Sequence, residues 1–314
     1  MNQDTLYDAL LDALYATFGQ HPGFRVAHAK GLLLSGTFVA STQARTLSRA
    51  AHLQDEPVAV MARFSNFSGL PGTADGDPMA SPHGLAIRFA LPDGSSTDIV
   101  SHSFNGFPVA TPQAFLAFLR GIAANGGSTP DERPLQAFLA THAQARAFLE
   151  TPKPAPRSYA GIAYYGVNAF QFINDEGQLH VGRYRIEPML ASGVLSPSQA
   201  AAMPEDYLQE ELAARLAAGP IRLRLVLQLA TARDNSADGS IAWPASNPQL
   251  ELGEITLERL VPAADQLQRQ QRMGFNPGNL PDGISPSADP MIKARQGIYQ
   301  RALLRRGVTS PADD

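Results

Sequence analysis

A chain of 314 residues with 44% hydrophobic and 17% charged residues is long enough for one large or two ordinary domains and for a sizeable core. A formal net charge of −4 gives no electrostatic footprint for nucleic acid or an anionic membrane as partner. Cysteine is absent, which excludes disulfides, iron–sulfur clusters, thiolate nucleophiles and zinc–cysteine sites, so any metal must be held by His, Tyr, Asp, Glu or Met. No apolar run approaches the length of a membrane span. The opening MNQDTLYDALLDAL carries acids where a signal peptide would carry cations. The expected location is therefore cytoplasmic, or periplasmic if a leader precedes this sequence.

Leu6, Leu10, Leu14 and Phe18 recur at helical spacing, and Gly19 is placed to end that helix. After a turn at Gln20–Gly23, the stretch Phe24–Ala40 reads as strand, with Gly31 and Gly36 as bends or bulges. If Val26–Ala29 is extended, Val26 and His28 share a face. A histidine on such a face is either a core imidazole satisfied by a hydrogen bond or an acid/base group held in a dry site. Residues 42–53 predict a short helix. Val58, Val60, Ala62 and Phe64 alternate, as do Leu85, Ile87 and Phe89, on either side of a Gly, Pro, Asp and Ser-rich loop.

Pro92-Asp93-Gly94 turns the chain into another strand at Asp98–Val100. Thr111 and Pro112 form an N-cap with proline at the first helical position, opening a helix that ends near Gly126-Gly127. A second helix is expected over 132–149, then an extended proline-rich connection at 152–158. Tyr164–Phe172 and Leu179–Ile186 predict a hairpin around Asn174–Gly177. A helix over 205–218 stops at Gly219-Pro220, and strands follow at 221–230 and 250–260. Antiparallel strands at hairpin spacing with helical insertions predict an α+β fold, a closed or nearly closed β-barrel with flanking helices, as a single domain over residues 1–314.

Four motifs in one order carry more information than any of these elements: RVAHAKG at 25–31, RFSNFSG at 63–69, FNPGNLPDGISPSADPM at 275–291 and RQGIY at 295–299. Supporting stretches are YYGVNAFQFINDEG at 164–177, PEDYLQEELAARLAAG at 204–219 and WPASNPQLELGEITLERL at 243–260. The set resembles the haem catalase superfamily, and more closely its short branch, the catalase-related peroxidases. The resemblance implies haem b as cofactor, His28 as the distal catalytic histidine and Ser65 as the partner of its other ring nitrogen. It implies Arg25, Arg63 and Arg295 around the haem, the first two facing propionates, and Tyr299 as the iron ligand.

The chemistry is consistent with those roles. A phenol, with a pKa near about 10, is a poor iron ligand at neutral pH unless a cation favours the phenolate, and Arg295 stands one helical turn before Tyr299. A neutral His28 can take the proton from the near oxygen of a peroxide and return it to the far one. Forked arginines suit carboxylates. Taken singly, Arg63 could be a snorkelling surface cation, Ser65 an ordinary hydroxyl and Tyr299 a packing aromatic.

Three departures from full-length catalases stand out. Ala27 replaces the valine before the distal histidine, which widens the entrance above the iron. Ala80-Ser81-Pro82-His83-Gly84 lacks the acid of the corresponding channel segment. The segment bearing a distal asparagine reads Ser101-His102-Ser103-Phe104-Asn105-Gly106, which puts His102 in that place without gaps and Asn105 there after a small shift. Asn105 is preferred, because an amide donates to peroxide without titrating. The expected activity is a haem peroxidase reducing hydrogen peroxide or an organic hydroperoxide with a small organic electron donor, acting as monomer or homodimer with no nucleic-acid or membrane partner. The alternatives are a hydroperoxide-rearranging enzyme similar to allene oxide synthases, or a haem-binding peroxide sensor.

Overall fold

The computed structural model describes residues 2–126 and 129–308. Its strands are β1 (Gly31–Ala40), β2 (Val58–Ser65), β3 (Gly84–Ala90), β4 (Ser96–His102), β5 (Tyr164–Tyr165), β6 (Phe170–Ile173), β7 (Leu179–Pro188), β8 (Ile221–Leu229), β9 (Gln249–Leu260) and β10 (Ile284–Pro286). Its helices are α1 (Gln3–Phe18), α2 (Ala44–Leu47), α3 (Pro112–Gly126), α4 (Arg133–Thr141), α5 (Ala143–Glu150), α6 (Pro197–Ala201), α7 (Tyr207–Ala218), α8 (Ala263–Arg272) and α9 (Pro290–Arg305). The order β7-β5-β4-β3-β2-β1-β9-β8, with β8 returning to β7, closes an eight-stranded antiparallel barrel, and β6 and β10 extend the sheet beyond β7. The predicted α+β barrel is therefore the fold. Closure removes the free edges that an open antiparallel sheet would leave.

Alternation along β2, β3 and β4 decides which side chains enter the barrel. Phe64 lies opposite Leu85, and Ala62 opposite Ile87, which lies opposite Ile99. These side chains are buried in the main core. The intervening residues form a second set on the outer face, with Arg63, Ala86 and Val100 in one row and Ser65, Gly84 and His102 in the next. Gly36 does mark a bulge, between β1 and β9.

Two sequence expectations are corrected. Phe24–Ala40 is strand only from Gly31 onward. His28 adopts φ 55° instead of an extended conformation, because its amide and that of Ala29 donate to the carbonyls of Phe67 and Ser68 in the loop after β2. A non-glycine residue in this region is strained, and the two hydrogen bonds hold it there. The helix expected over 132–149 is two helices broken at His142. The His142 ring stacks on Phe138 with centroids 3.7 Å apart, and its Nδ1 lies 2.9 Å from the Phe138 carbonyl oxygen that the His142 amide would bond in a continuous helix. Gly127, expected with Gly126 to end α3, lies outside the described residues.

Outside the barrel, α1, α3 and α9 bury a separate cluster that includes Leu6, Leu10, Leu11, Leu116, Ala294 and Ile298. A Cβ at Gly297 would lie 2.3 Å from the Tyr7 ring, so only glycine permits this approach of α9 to α1. Arg301 pairs with Asp4 and Asp8, and Arg305 with Asp12, along the same seam. The N-terminal acids are thus one side of a helix–helix contact.

Candidate active site

Between the outer face of β2–β4 and helix α9 lies a pocket enclosing about 800 Å³ of atom-free space, its outer part open to solvent. Its apolar wall comes from Leu14, Val26, Ala86, Val100, Phe275, Ile298, Ala302 and Leu303, and its polar groups are Arg25, His28, Arg63, Ser65, Ser101, Tyr299 and Arg306. Apolar walls with a few convergent polar groups are the usual character of a cofactor or ligand site.

His28 enters from the strained turn before β1. Its Nδ1 lies 3.1 Å from Ser65 Oγ, and its ring packs edge-on against Phe67 with centroids 5.5 Å apart. Burial, reinforced by Arg63, His102, Arg295 and His83, pushes its pKa down to about 3, so the imidazole is neutral at physiological pH. Gly84 is the neighbour that matters most. A Cβ there would lie 2.6 Å from Ser65 Oγ and 2.8 Å from His28 Nδ1, so the bare backbone of β3 leaves room for the pair.

Opposite, α9 is capped by Asp289, whose side chain accepts from the Met291 amide, with Pro290 in the first turn. One turn inside the helix, Arg295 Nη2 donates to Tyr299 Oη at 3.0 Å, as the i, i+4 spacing requires. Arg295 Nη1 donates to Asn168 Oδ1 at 2.6 Å, and Asn168 Nδ2 donates to Asp289 Oδ2 at 2.7 Å. This connects the helix cap, the YYGVNAF stretch and the phenol in one chain of hydrogen bonds.

The pocket's third group of residues is cationic. Arg63 is 3% exposed, so it is no surface cation. A Cβ at Gly31 would lie 2.8 Å from its Cζ, so the last glycine of RVAHAKG lets the guanidinium lie across β1. Arg25, Arg63 and Arg306 hydrogen-bond only to neutral oxygens among the described residues: the Met273 carbonyl, the Gln270 side chain with the Ala29 carbonyl, and the Gln271 carbonyl. Ten of the nineteen other arginines, by contrast, pair with carboxylates among the described residues. Burial lowers all three, and mutual repulsion adds to it for Arg25 and Arg63; Arg63 falls to about 9. Three desolvated cations without a counter-ion would be relieved by an anionic ligand.

Of the residues singled out in the sequence, Arg25, His28, Arg63, Ser65 and Tyr299 line this one pocket, and Arg295 stands behind Tyr299. Asn105 does not line it, and neither does His102, but the two differ in surroundings. His102 lies opposite Gly84 in the β3–β4 register, on the row of Ser65, and its field acts on His28. Its Nδ1 accepts from the Phe104 amide at 3.3 Å, which makes Nε2 the protonated nitrogen. That Nε2–H is buried without a partner among the described residues. Arg306, Asn168, Gly84 and Gln270 escaped the sequence reading. Arg306 alone carried a readable signal, since positions 299, 302 and 306 share a helical face.

A family model described as catalase matches residues 9–310. The chain belongs to the catalase family. It is 37% identical over 305 residues to a catalase-related peroxidase of Mycolicibacterium paratuberculosis, covering 96% of this chain and 95% of that one. To a catalase-related peroxidase of Synechococcus elongatus it is 30% identical, covering 95% and 88%. Among solved structures, a bacterial catalase superposes with a TM-score of 0.81 at 21% identity, over 93% of this chain and 59% of that chain. Catalase A from Saccharomyces cerevisiae gives 0.79 at 22%, over 97% and 67%. The likeness to these structures is one of fold.

Proposed function

We propose that this protein is a haem peroxidase that reduces hydrogen peroxide or an organic hydroperoxide with electrons from a small organic donor. The observation that carries the reading is the pairing, across one pocket, of a neutral His28 bonded to Ser65 with a Tyr299 phenol bonded to Arg295. The residues present fit haem b. Arg25, Arg63 and Arg306 would hold its two carboxylates, the apolar wall its ring, and Tyr299 its iron. When bound, ferric haem with an anionic oxygen ligand supplies the redox chemistry that splits a peroxide.

The chain's own groups handle the protons. With Nδ1–H donated to Ser65 Oγ, His28 Nε2 keeps a free lone pair. It takes the proton from the inner peroxide oxygen and delivers it to the outer one, so that water or an alcohol leaves. Arg295 offers a positive charge and a hydrogen bond to the phenolate oxygen of Tyr299. His102, not Asn105, is the residue whose unpartnered Nε2–H suits a peroxide oxygen, since a buried donor without an acceptor is costly. Ala27 in the wall and the lack of a channel acid favour donor-dependent reduction over disproportionation of peroxide.

The test combines spectrum and turnover. The haem-loaded protein is expected to show a ferric tyrosinate-type visible spectrum and peroxide consumption that rises with an added phenolic donor. Tyr299→Phe is expected to lose most of its haem. An unchanged spectrum in that variant would refute ligation, and consumption independent of donor, with steady oxygen release, would refute the peroxidase assignment.

A further inference from the structure

Helix α8 is docked in an unusual way. None of its residues is buried, and Leu267 is half exposed. Instead, two glutamines attach it to the edge of β1. β9 pairs with β1 only from Leu34 onward; just past it the Val261 amide donates to the Leu33 carbonyl at 3.0 Å, and the rest of the Gly31–Leu33 edge has no strand partner on that side among the described residues. Gln266 Oε1 accepts from the Leu33 amide at 3.0 Å, and its Nε2 donates to the Leu33 carbonyl at 2.9 Å. Gln270 Nε2 donates to the Gly31 carbonyl at 3.1 Å. Four residues of helix rise by about 6.0 Å and two residues of strand by about 6.6 Å, so side-chain amides at i and i+4 match alternate strand residues.

Gln270 does one thing more. Its Oε1 accepts from Arg63 Nε at 2.8 Å, while Arg63 Nη2 donates to the Ala29 carbonyl at 3.1 Å. Nη1 makes no hydrogen bond among the described residues. Two of the guanidinium's edges are thus fixed by neutral acceptors, and the positive charge is not cancelled. A carboxylate at position 270 would have consumed it.

We infer that Gln270 is a positioning residue: it ties Arg63 to the edge of β1 so that the guanidinium presents its remaining N–H groups and undiminished charge to a carboxylate of the bound cofactor. This rests on the haem reading above. Gln270 touches neither the peroxide site nor the iron ligand, so its contribution lies in how long the cofactor stays bound.

The experiment is the rate of haem transfer from the loaded protein to excess apomyoglobin, followed by absorbance without any turnover. Losing a hydrogen bond that orients a charged group corresponds to about a ten- to hundredfold change, and Gln270→Ala is expected to release haem faster by that factor. Gln266→Ala loosens the same helix and removes the 3.1 Å bond that Gln270 Nε2 donates to Gln266 Oε1, but it leaves the bond between Gln270 and Arg63 in place and is expected to release haem close to the wild-type rate. In an Arg63→Ala background, Gln270→Ala is expected to have no further effect. Equal acceleration by Gln266→Ala, or an undiminished effect in the Arg63→Ala background, would overturn the inference by making Gln270 a mere helix anchor. If Arg63→Ala itself leaves the release rate unchanged, the carboxylate role of Arg63 fails instead.

Discussion

Replacing Gly84 by alanine tests the distal geometry at its tightest point. The added methyl carbon would sit 2.6 Å from Ser65 Oγ and 2.8–2.9 Å from the Nδ1 and Cε1 atoms of His28, against an ordinary contact distance of about 3.5–4.0 Å. Gly84 is paired with both Ser65 and His102 inside the sheet, so its backbone cannot retreat without breaking the barrel register. The side chains must yield by roughly 0.7 Å, enough to break the 3.1 Å bond between His28 and Ser65. Overpacking of this kind costs about 1–3 kcal/mol of stability, and the lost hydrogen bond about 1 kcal/mol more. For the reaction the cost is larger, because a misplacement of about 1 Å is worth about a hundredfold in rate. Stopped-flow measurement of the reaction with hydrogen peroxide is expected to show that loss, at a haem-to-protein ratio equal to wild type, since no arginine or tyrosine of the pocket is touched. A folded, fully loaded Gly84→Ala protein reacting within twofold of wild type would refute the role assigned to the His28–Ser65 pair.

Acidity should affect rate and stability differently. With its pKa pushed down to about 3, His28 stays neutral as pH falls from 8 to 5, so the peroxide reaction is expected to lack an inflection near 6.5; a protonation step there would show that the imidazole is not held dry. His52 and His83, both buried, are likewise pushed down to about 3 by burial. Their folded-state values lie below the unfolded value of about 6.5, so their contribution is complete above pH 6.5 and is lost towards pH 3. Each removes about 1.4 kcal/mol per pH unit, or about 2 kcal/mol by pH 5. Urea midpoints measured from pH 7 to pH 5 are expected to fall steeply, and flat midpoints would contradict the burial. His52 sits against Phe38 and Phe89 with both ring nitrogens unpartnered among the described residues. His52→Phe is therefore expected to raise stability by about 1–3 kcal/mol and to flatten the pH dependence; an unstable variant would mean that an acceptor or water holds the ring.

Local pattern carried much of this architecture. Period-two alternation at 58–64 and 85–89 identified the strands and their core faces, because a residue pointing into a closed barrel must be apolar whatever the rest of the chain does. Glycine and proline punctuation located the end of α1 and the start of α3 for equally local reasons. The ordered motifs brought His28, Ser65, Arg25, Arg63, Arg295 and Tyr299 to attention, and the i, i+4 relation of Arg295 to Tyr299 needed only a helix.

What the sequence could not determine was whatever depends on two distant segments meeting. His28 was expected on a strand, yet its backbone follows hydrogen bonds to residues 67 and 68, which no window around 28 contains. Asn105 was preferred over His102 on side-chain chemistry, whereas the β3–β4 register puts His102 beside Gly84, where its Nε2 has no partner among the described residues. The acids of the first helix face arginines some 290 residues away, a pairing that no local window contains. Gln270 is one glutamine among several in a polar helix until β9 leaves the edge of β1 open beneath it. Periodicity is set by each segment's own backbone geometry, but charge compensation, buried donors and glycine clearance are properties of pairs, and only the closed barrel with α9 laid against it brings those pairs together.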